Sequence, residues 1–269
     1  MENRKRTGVA QGSKFKNQKY RNFSQGPKAS KPNIVFGVQS VTETLRSEKE
    51  IDKILIQREF GHAEIEKLAR EREVPVQRVP SEKLDRITGK NHQGIIAFVS
   101  SVNYAKLSNV VADIFEKGET PLLLILDRIT DVRNFGAIAR TAECSGVHGI
   151  VVPAKGGAQI NEDAMKTSSG ALNYIPVCRE NSLEKVVEEL QMSGIQIVVC
   201  TEKTEDSIYE PDYTIPTAII MGSEEDGVSE DIIRLSNARA KIPMKGQIGS
   251  LNVSVATGII LYEAVRQRG

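Results

Sequence analysis

Five polar residues, Asn134, Arg140, Glu224, Ser250 and Asn252, stand beside the two loops of this chain best suited to hold a small ligand. The first loop, Gly222-Ser223-Glu224-Glu225-Asp226-Gly227, follows the apolar run Ile219-Ile220-Met221. The second, Lys245-Gly246-Gln247-Ile248-Gly249, lies between Ile242-Pro243-Met244 and Ser250-Leu251-Asn252-Val253-Ser254. Glycine-rich loops beyond strand ends are what an α/β protein uses to bind a small polar ligand, but the pattern does not say which ligand. Several chemistries are disfavoured. There is no GxGxxG after a strand, no Walker loop and no Gly-x-Ser-x-Gly elbow. His62, His92 and His148 are scattered without metal-ligand spacing, so each reads as structural or exposed and no metal is expected. Asn252-Val253-Ser254 matches a glycosylation sequon by chance, since no secretory leader is visible.

Regular elements must position these residues. From Pro121 onward, apolar strand-sized runs alternate with amphipathic segments, which predicts an α/β domain built on a parallel, doubly wound sheet. Leu122 to Asp127, Gly149 to Pro153, Ile195 to Cys200, Thr217 to Met221 and Ala240 to Pro243 read as strands. Asn134 to Ser145, Ser182 to Ser193, a short stretch capped by Ser229 and the long Leu251 to Arg268 read as helices, with Asn134 as an N-cap. Ahead of this domain, residues 34–103 form a βαβαβ series that predicts a small α/β module, with Ser40 capping its first helix. Residues 104–120 read as a linker and an amphipathic helix, and residues 121–269 as the second domain.

Composition sets the remaining bounds. Apolar content of 39% and charge of 26% suit a globular chain, and no run approaches the length of a membrane span. Cys144, Cys178 and Cys200 lack CxxC spacing and predict buried free thiols in a reducing cytoplasm. The net charge of +1 conceals an asymmetry: residues 1–33 carry nine Lys or Arg against Glu2 alone, leaving the rest of the chain net acidic. Phe15, Tyr20 and Phe23 are interleaved with those charges. Such a segment predicts a disordered basic tail, with RNA as the partner best matched to mixed cations and aromatics.

Three ordered stretches resemble one family. Asn134-Phe135-Gly136-Ala137-Ile138-Ala139-Arg140-Thr141-Ala142 is similar to motif 1 of the SpoU/TrmH (SPOUT) RNA ribose 2′-O-methyltransferases. Gly222 to Val228 is similar to motif 2, and Ile242-Pro243-Met244 with Ser250 to Ala256 is similar to motif 3. Phe36-Gly37, Ile54-Leu55-Ile56 and His92-Gln93-Gly94-Ile95 resemble the substrate-binding domain of its bacterial 23S rRNA guanosine members, a domain like a small ribosomal-protein fold. The resemblance implies S-adenosylmethionine as cofactor, a deep trefoil knot and a homodimer formed through the knotted region. It implies cofactor contacts at Gly222, Ile242, Leu251, Thr201, Met244 and Asn252, and Arg140 as the residue activating the ribose hydroxyl. A guanidinium is almost always protonated, so Arg140 either acts as a base in a site that disfavours its charge or holds an RNA phosphate and the developing alkoxide. Asn134, Glu224, Ser250 and Asn252 are implied to orient the ribose and the arginine, with Glu225 and Asp226 as solvated neighbours. The apolar residues Val255, Ile259, Tyr262 and Val265 of the last helix fit a dimer face. The alternatives are the same chemistry on tRNA, or an RNA-binding ribosome-assembly factor without catalysis. A dehydrogenase is disfavoured by the missing dinucleotide turn.

Overall fold

A computed structural model of the chain describes residues 33–59 and 61–269. The predicted basic tail, apart from Asn33, lies outside the described residues.

The first sheet collects β1 (Ile34–Phe36), β2 (Ile51–Gln57), β3 (Val76–Val79) and β4 (Ile95–Val99), in the order β1-β4-β2-β3. α1 (Val38–Arg46), α2 (Ala63–Glu71) and α3 (Ser81–Ile87) connect them. β2 and β3 are parallel around α2, whereas β4 returns antiparallel between β1 and β2. Strand alternation explains both faces. Ile54 and Ile56 pack with Val41, Leu45 and Ile65 of the helices on one side, while Leu55 packs with Leu84, Ile96 and Phe98 on the other. Ser40 is not the cap of α1. Gly37, at φ 87°, turns the chain into the helix, and the Gln93 side-chain Oε1 accepts from Val38 N at 3.0 Å. The capping acceptor thus comes from a loop remote in sequence, and Ser40 sits inside the first turns.

The second sheet is wholly parallel. It contains β5 (Leu122–Leu126), β6 (Gly149–Pro153), β7 (Val177–Glu180), β8 (Gln196–Cys200), β9 (Thr217–Met221) and β10 (Ala238–Ala240), in the order β10-β8-β9-β5-β6-β7. α4 (Leu107–Glu116), α7 (Leu183–Met192) and α8 (Glu230–Leu235) cover one face, and α5 (Val132–Cys144), α6 (Glu162–Thr167) and α9 (Val253–Arg268) cover the other. β5 shows why its sequence is continuously apolar. Leu122, Leu124 and Leu126 enter the core with Ile138, Ile260 and Leu261, whereas Leu123 and Ile125 enter the core with Val110, Val186 and Ile232. Each such fully buried side chain contributes about 1.5–3 kcal/mol.

Two strands differ from the sequence expectation. β7 has only two fully buried residues and sits at the sheet edge, a pattern too short to stand out as a strand. The last strand is Ala238–Ala240 rather than Ala240 to Pro243, because its partner β8 ends at Cys200 and Lys241 N turns to donate to Asp206 O at 2.7 Å. Ile242, Pro243 and Met244 therefore belong to a loop. Connections leave β5 in one direction and β9 in the other, which makes their C-terminal ends the switch point where open parallel sheets bind ligands.

Candidate functional site

A cleft of about 350 Å3 opens at that switch point. It is lined by Thr201, Gly222, Ile242, Met244, Leu251 and Ser250, together with Glu202, Lys241 and Ala256. The end of β8 supplies Thr201, the end of β9 supplies Gly222, and the loop after β10 supplies the remaining predicted contacts. Five of the six residues predicted for the cofactor thus line one cavity; Asn252, the sixth, stands in the adjoining polar cluster. Met244 and Leu251 remain 38% and 36% exposed, an apolar wall left half in solvent that a ligand can cover.

Backbone geometry demands the glycine at 222. A Cβ built there would lie 2.1 Å from Gly227 C and 2.2 Å from Val228 N. The loop folds back on itself at this point, with Ser223 N donating to Gly227 O at 3.2 Å and Gly227 N to Ser223 O at 3.0 Å. Two residues not singled out in the sequence brace it. Asp127 Oδ2 accepts from Ser229 N at 2.8 Å, and Arg128 Nη2 donates to Gly227 O at 3.1 Å. Arg128 also pairs with Asp226 at 3.3 Å, although the Asp226 side chain stays exposed, a solvated neighbour as expected. The legible signal was an acid and an arginine directly after an all-apolar strand, at the edge where parallel sheets place ligands. Ser229 precedes α8 as expected, but its side chain makes no capping hydrogen bond.

The polar residues divide. Glu224 Oε1 accepts from Asn252 Nδ2 at 2.8 Å, Asn134 Nδ2 at 3.1 Å and Val253 N at 3.3 Å. Asn252 Nδ2 also donates to Asn134 Oδ1 at 3.1 Å. All three bonds to Glu224 fall on one oxygen. Asn252 N-caps α9, its Oδ1 accepting from Ser254 N at 3.0 Å, which fixes the direction of its amide nitrogen. Asn134 is not a cap. Asp131 fills that role for α5, accepting from Arg133 N and Asn134 N, and so leaves the Asn134 side chain free to meet Glu224. Ser250 lines the cleft without joining this hydrogen-bonded cluster. Arg140 stands apart: it is exposed on α5, about 9 Å along the axis and two-thirds of a turn around from Asn134.

Burial pushes the Cys200 thiol beside the cleft up to about 12, with the Glu202 carboxylate adding to the effect. The cysteine there is a neutral wall residue. Among the described residues no cluster of three or more His, Cys, Asp or Glu suits a metal ion. His92 and His148 have structural partners: His92 bridges Asp85 and Gly94 N, and His148 bridges Glu119 and Leu122 N.

The second sheet and its helices match the SpoU rRNA Methylase family over residues 121–262. Residues 34–105 match a separate family described as RNA 2′-O ribose methyltransferase substrate binding. A TrmH family tRNA/rRNA methyltransferase of Bacillus subtilis, YacO, is 35% identical over 239 residues, covering 88% of this chain and 96% of the relative. The 23S rRNA (guanosine-2′-O-)-methyltransferase RlmB of Vibrio parahaemolyticus is 41% identical over 196 residues, covering 72% and 79% of the two chains. Among solved structures, the SpoU methyltransferase AviRb of Streptomyces viridochromogenes, in complex with the cofactor AdoMet, superposes with a TM-score of 0.57. The two are 26% identical, and the match spans 87% of this chain and 90% of that one.

Proposed function

We propose that this chain, which belongs to the SpoU rRNA methylase family, transfers a methyl group from S-adenosylmethionine to the ribose 2′-hydroxyl of a guanosine in 23S rRNA. The observation that carries the reading is the junction of two features. A cleft with a side-chain-free glycine and half-exposed apolar walls adjoins the hydrogen-bonded cluster of Asn134, Glu224 and Asn252. The cleft residues fit the cofactor. Gly222 offers bare backbone, Ile242, Met244 and Leu251 suit a flat heterocycle, and Thr201 and Glu202 offer polar partners for ribose or amino groups. When bound, the cofactor supplies an electrophilic methyl group.

The residues then have separable tasks. Attack by a ribose oxygen is an in-line displacement, so placing that oxygen is the main demand. Glu224 locks the two asparagine amides, and that locked cluster orients the ribose at the border of the cleft. Gly222, Ile242 and Leu251 hold the cofactor, with Thr201 and Met244 close by and Ser250 shaping the mouth. Arg140, exposed and outside its own chain's polar cluster, suits an RNA phosphate and the developing alkoxide better than the abstraction of a proton. Its separation from Glu224 supports a homodimer in which two copies complete the RNA site. Val255, Ile259 and Tyr262 leave an apolar face of α9 in solvent, as such a dimer requires, and α9 packs beside α5. A reaction on rRNA is consistent with the cytoplasm expected from the sequence.

The likeness to the 23S rRNA enzyme RlmB supports rRNA, and the front domain, which matches a family described as RNA 2′-O ribose methyltransferase substrate binding, supports an RNA substrate. tRNA is the second reading, since the name of the Bacillus relative covers both tRNA and rRNA. Transfer of tritium from labelled cofactor to rRNA and tRNA of a strain lacking the gene decides between them. Label is expected in 23S rRNA; label confined to tRNA overturns the choice of substrate.

A further inference from the structure

A second cavity, of about 410 Å3, lies between the two sheets' domains. Its walls come from β2 and β3 on one side and from the segment after β6 on the other, with Lys53, Val76, Gln77, Lys155 and Gln159 among the lining residues. It is not isolated. Ser223 and Glu224 border both the cofactor cleft and a hollow beside Asn134, and Gly156 borders both that hollow and the interdomain cavity. Gly156, at φ 82°, keeps the passage free of a side chain. Three hollows that share lining residues thus lead from the cofactor cleft to the junction of the domains.

The junction's own charges are mostly satisfied. Arg179 of β7 donates to Ile51 O at 2.7 Å, approaches Asp52 at 3.9 Å and lies 4.3 Å from the ring centroid of Tyr104. Tyr104 Oη donates to Asp52 Oδ1 at 2.6 Å. Lys53 and Lys155 differ, since neither has a salt bridge among the described residues. Lys53 sits 4.9 Å from the Phe98 ring centroid. Burial, and then the charge of Lys83, hold its ammonium below the usual lysine range against the opposing pull of Asp52. Gln159 Nε2 is buried in this wall without a hydrogen-bond partner, and Val76 is 36% exposed beside Pro75. Two cations, two side-chain amides and an apolar platform are the groups that a nucleotide's phosphate, base edge and base face require. The cavity's size admits a single strand and not a duplex.

We propose that this interdomain cavity binds a single-stranded RNA nucleotide flanking the methylation target, with Lys53 and Lys155 on its phosphates and Val76, Gln77 and Gln159 against its base. The inference rests on the RNA-methyltransferase reading, but its test does not require turnover. The full-length Lys53→Ala/Lys155→Ala protein is compared with wild type in equilibrium binding to deproteinised 23S rRNA from a strain lacking the gene, across a salt series. The expected result is binding weakened about tenfold and a log–log salt slope reduced by about 1.4, with S-adenosylmethionine affinity and thermal stability unchanged. Lys53→Arg/Lys155→Arg restores both. In turnover, the alanine pair raises the KM for RNA and leaves kcat intact. Unchanged affinity and salt slope overturn the proposal. So does failure of the arginine pair, with cofactor binding intact, to restore affinity and slope. If wild type binds the RNA but methylates none, the functional reading fails while the binding comparison still stands on its own.

Discussion

Glu224 offers the sharpest test of how the polar cluster works, because its three bonds converge on one oxygen. Asn252 Nδ2, Asn134 Nδ2 and Val253 N all donate to Oε1. A charged acceptor strengthens each bond and solvent exposure weakens it, so each is worth about 0.5–1.5 kcal/mol. Removing all three by Glu224→Ala releases two amides that must stay ordered, a loss of roughly 2–3 kcal/mol of preorganisation. If that ordering is needed only in the transition state, kcat falls about 30- to 150-fold. Glu224→Gln keeps a carbonyl oxygen in the same place and can accept the same three bonds. Its kcat should stay within about threefold of wild type, with both variants binding the cofactor normally. Steady-state kinetics with labelled cofactor and cofactor titration by calorimetry read the two quantities. A glutamine variant as impaired as the alanine variant would refute the positioning role, and would assign the carboxylate's charge or proton to the reaction instead.

Other perturbations probe other parts. Gly222→Ala forces the motif loop open, since its Cβ would meet Gly227 and Val228 backbone, and should weaken S-adenosylmethionine binding by tenfold or more, to order of magnitude, in calorimetry. Ile259→Asp places a charge on the exposed apolar face of α9 and should convert a dimer to monomer in analytical ultracentrifugation, with activity lost in parallel. The three cysteines should differ in labelling by iodoacetamide at pH 8: exposed Cys144 reacts first, whereas burial raises Cys178 and Cys200 to about 12 and leaves them neutral. Because their folded-state pKa values lie above the ordinary thiol value, the stability from burying them is complete below that value. It is lost progressively as pH rises toward the folded value, a decline that denaturant titrations at alkaline pH would register.

Much of this was legible in residues because local chemistry and global fold agree. The continuous apolar runs at Leu122 and Thr217 announced buried strands, whereas the last helix starts at Val253 behind an Asn252 cap, two residues later than expected. The family resemblance pointed to Thr201, Gly222, Ile242, Met244 and Leu251, which line one cleft. The misses arose where a local pattern had two solutions. Asp131 and Asn134 are both cap-forming residues three positions apart, and only the length of the turn after β5 decides between them. Gly37 outcompeted Ser40 because the Gln93 amide, distant in sequence, supplied the acceptor. The edge strand β7 has too few apolar residues to show alternation. Long-range pairing hid the rest: Arg128 braces Gly227 from 99 residues away, and no periodicity reports such a contact. Arg140 lay within a recognisable motif, yet its neighbours there say nothing of its distance from Glu224.

The central claim is that the acceptor is a ribose oxygen. Methylated rRNA recovered from a reaction with purified protein and labelled S-adenosylmethionine can be hydrolysed in alkali, which cleaves beside a free 2′-hydroxyl and spares a bond next to a 2′-O-methyl group. Label is expected in an alkali-resistant dinucleotide that yields 2′-O-methylguanosine on further digestion. Label released in ordinary mononucleotides, methylated on the base, would contradict it.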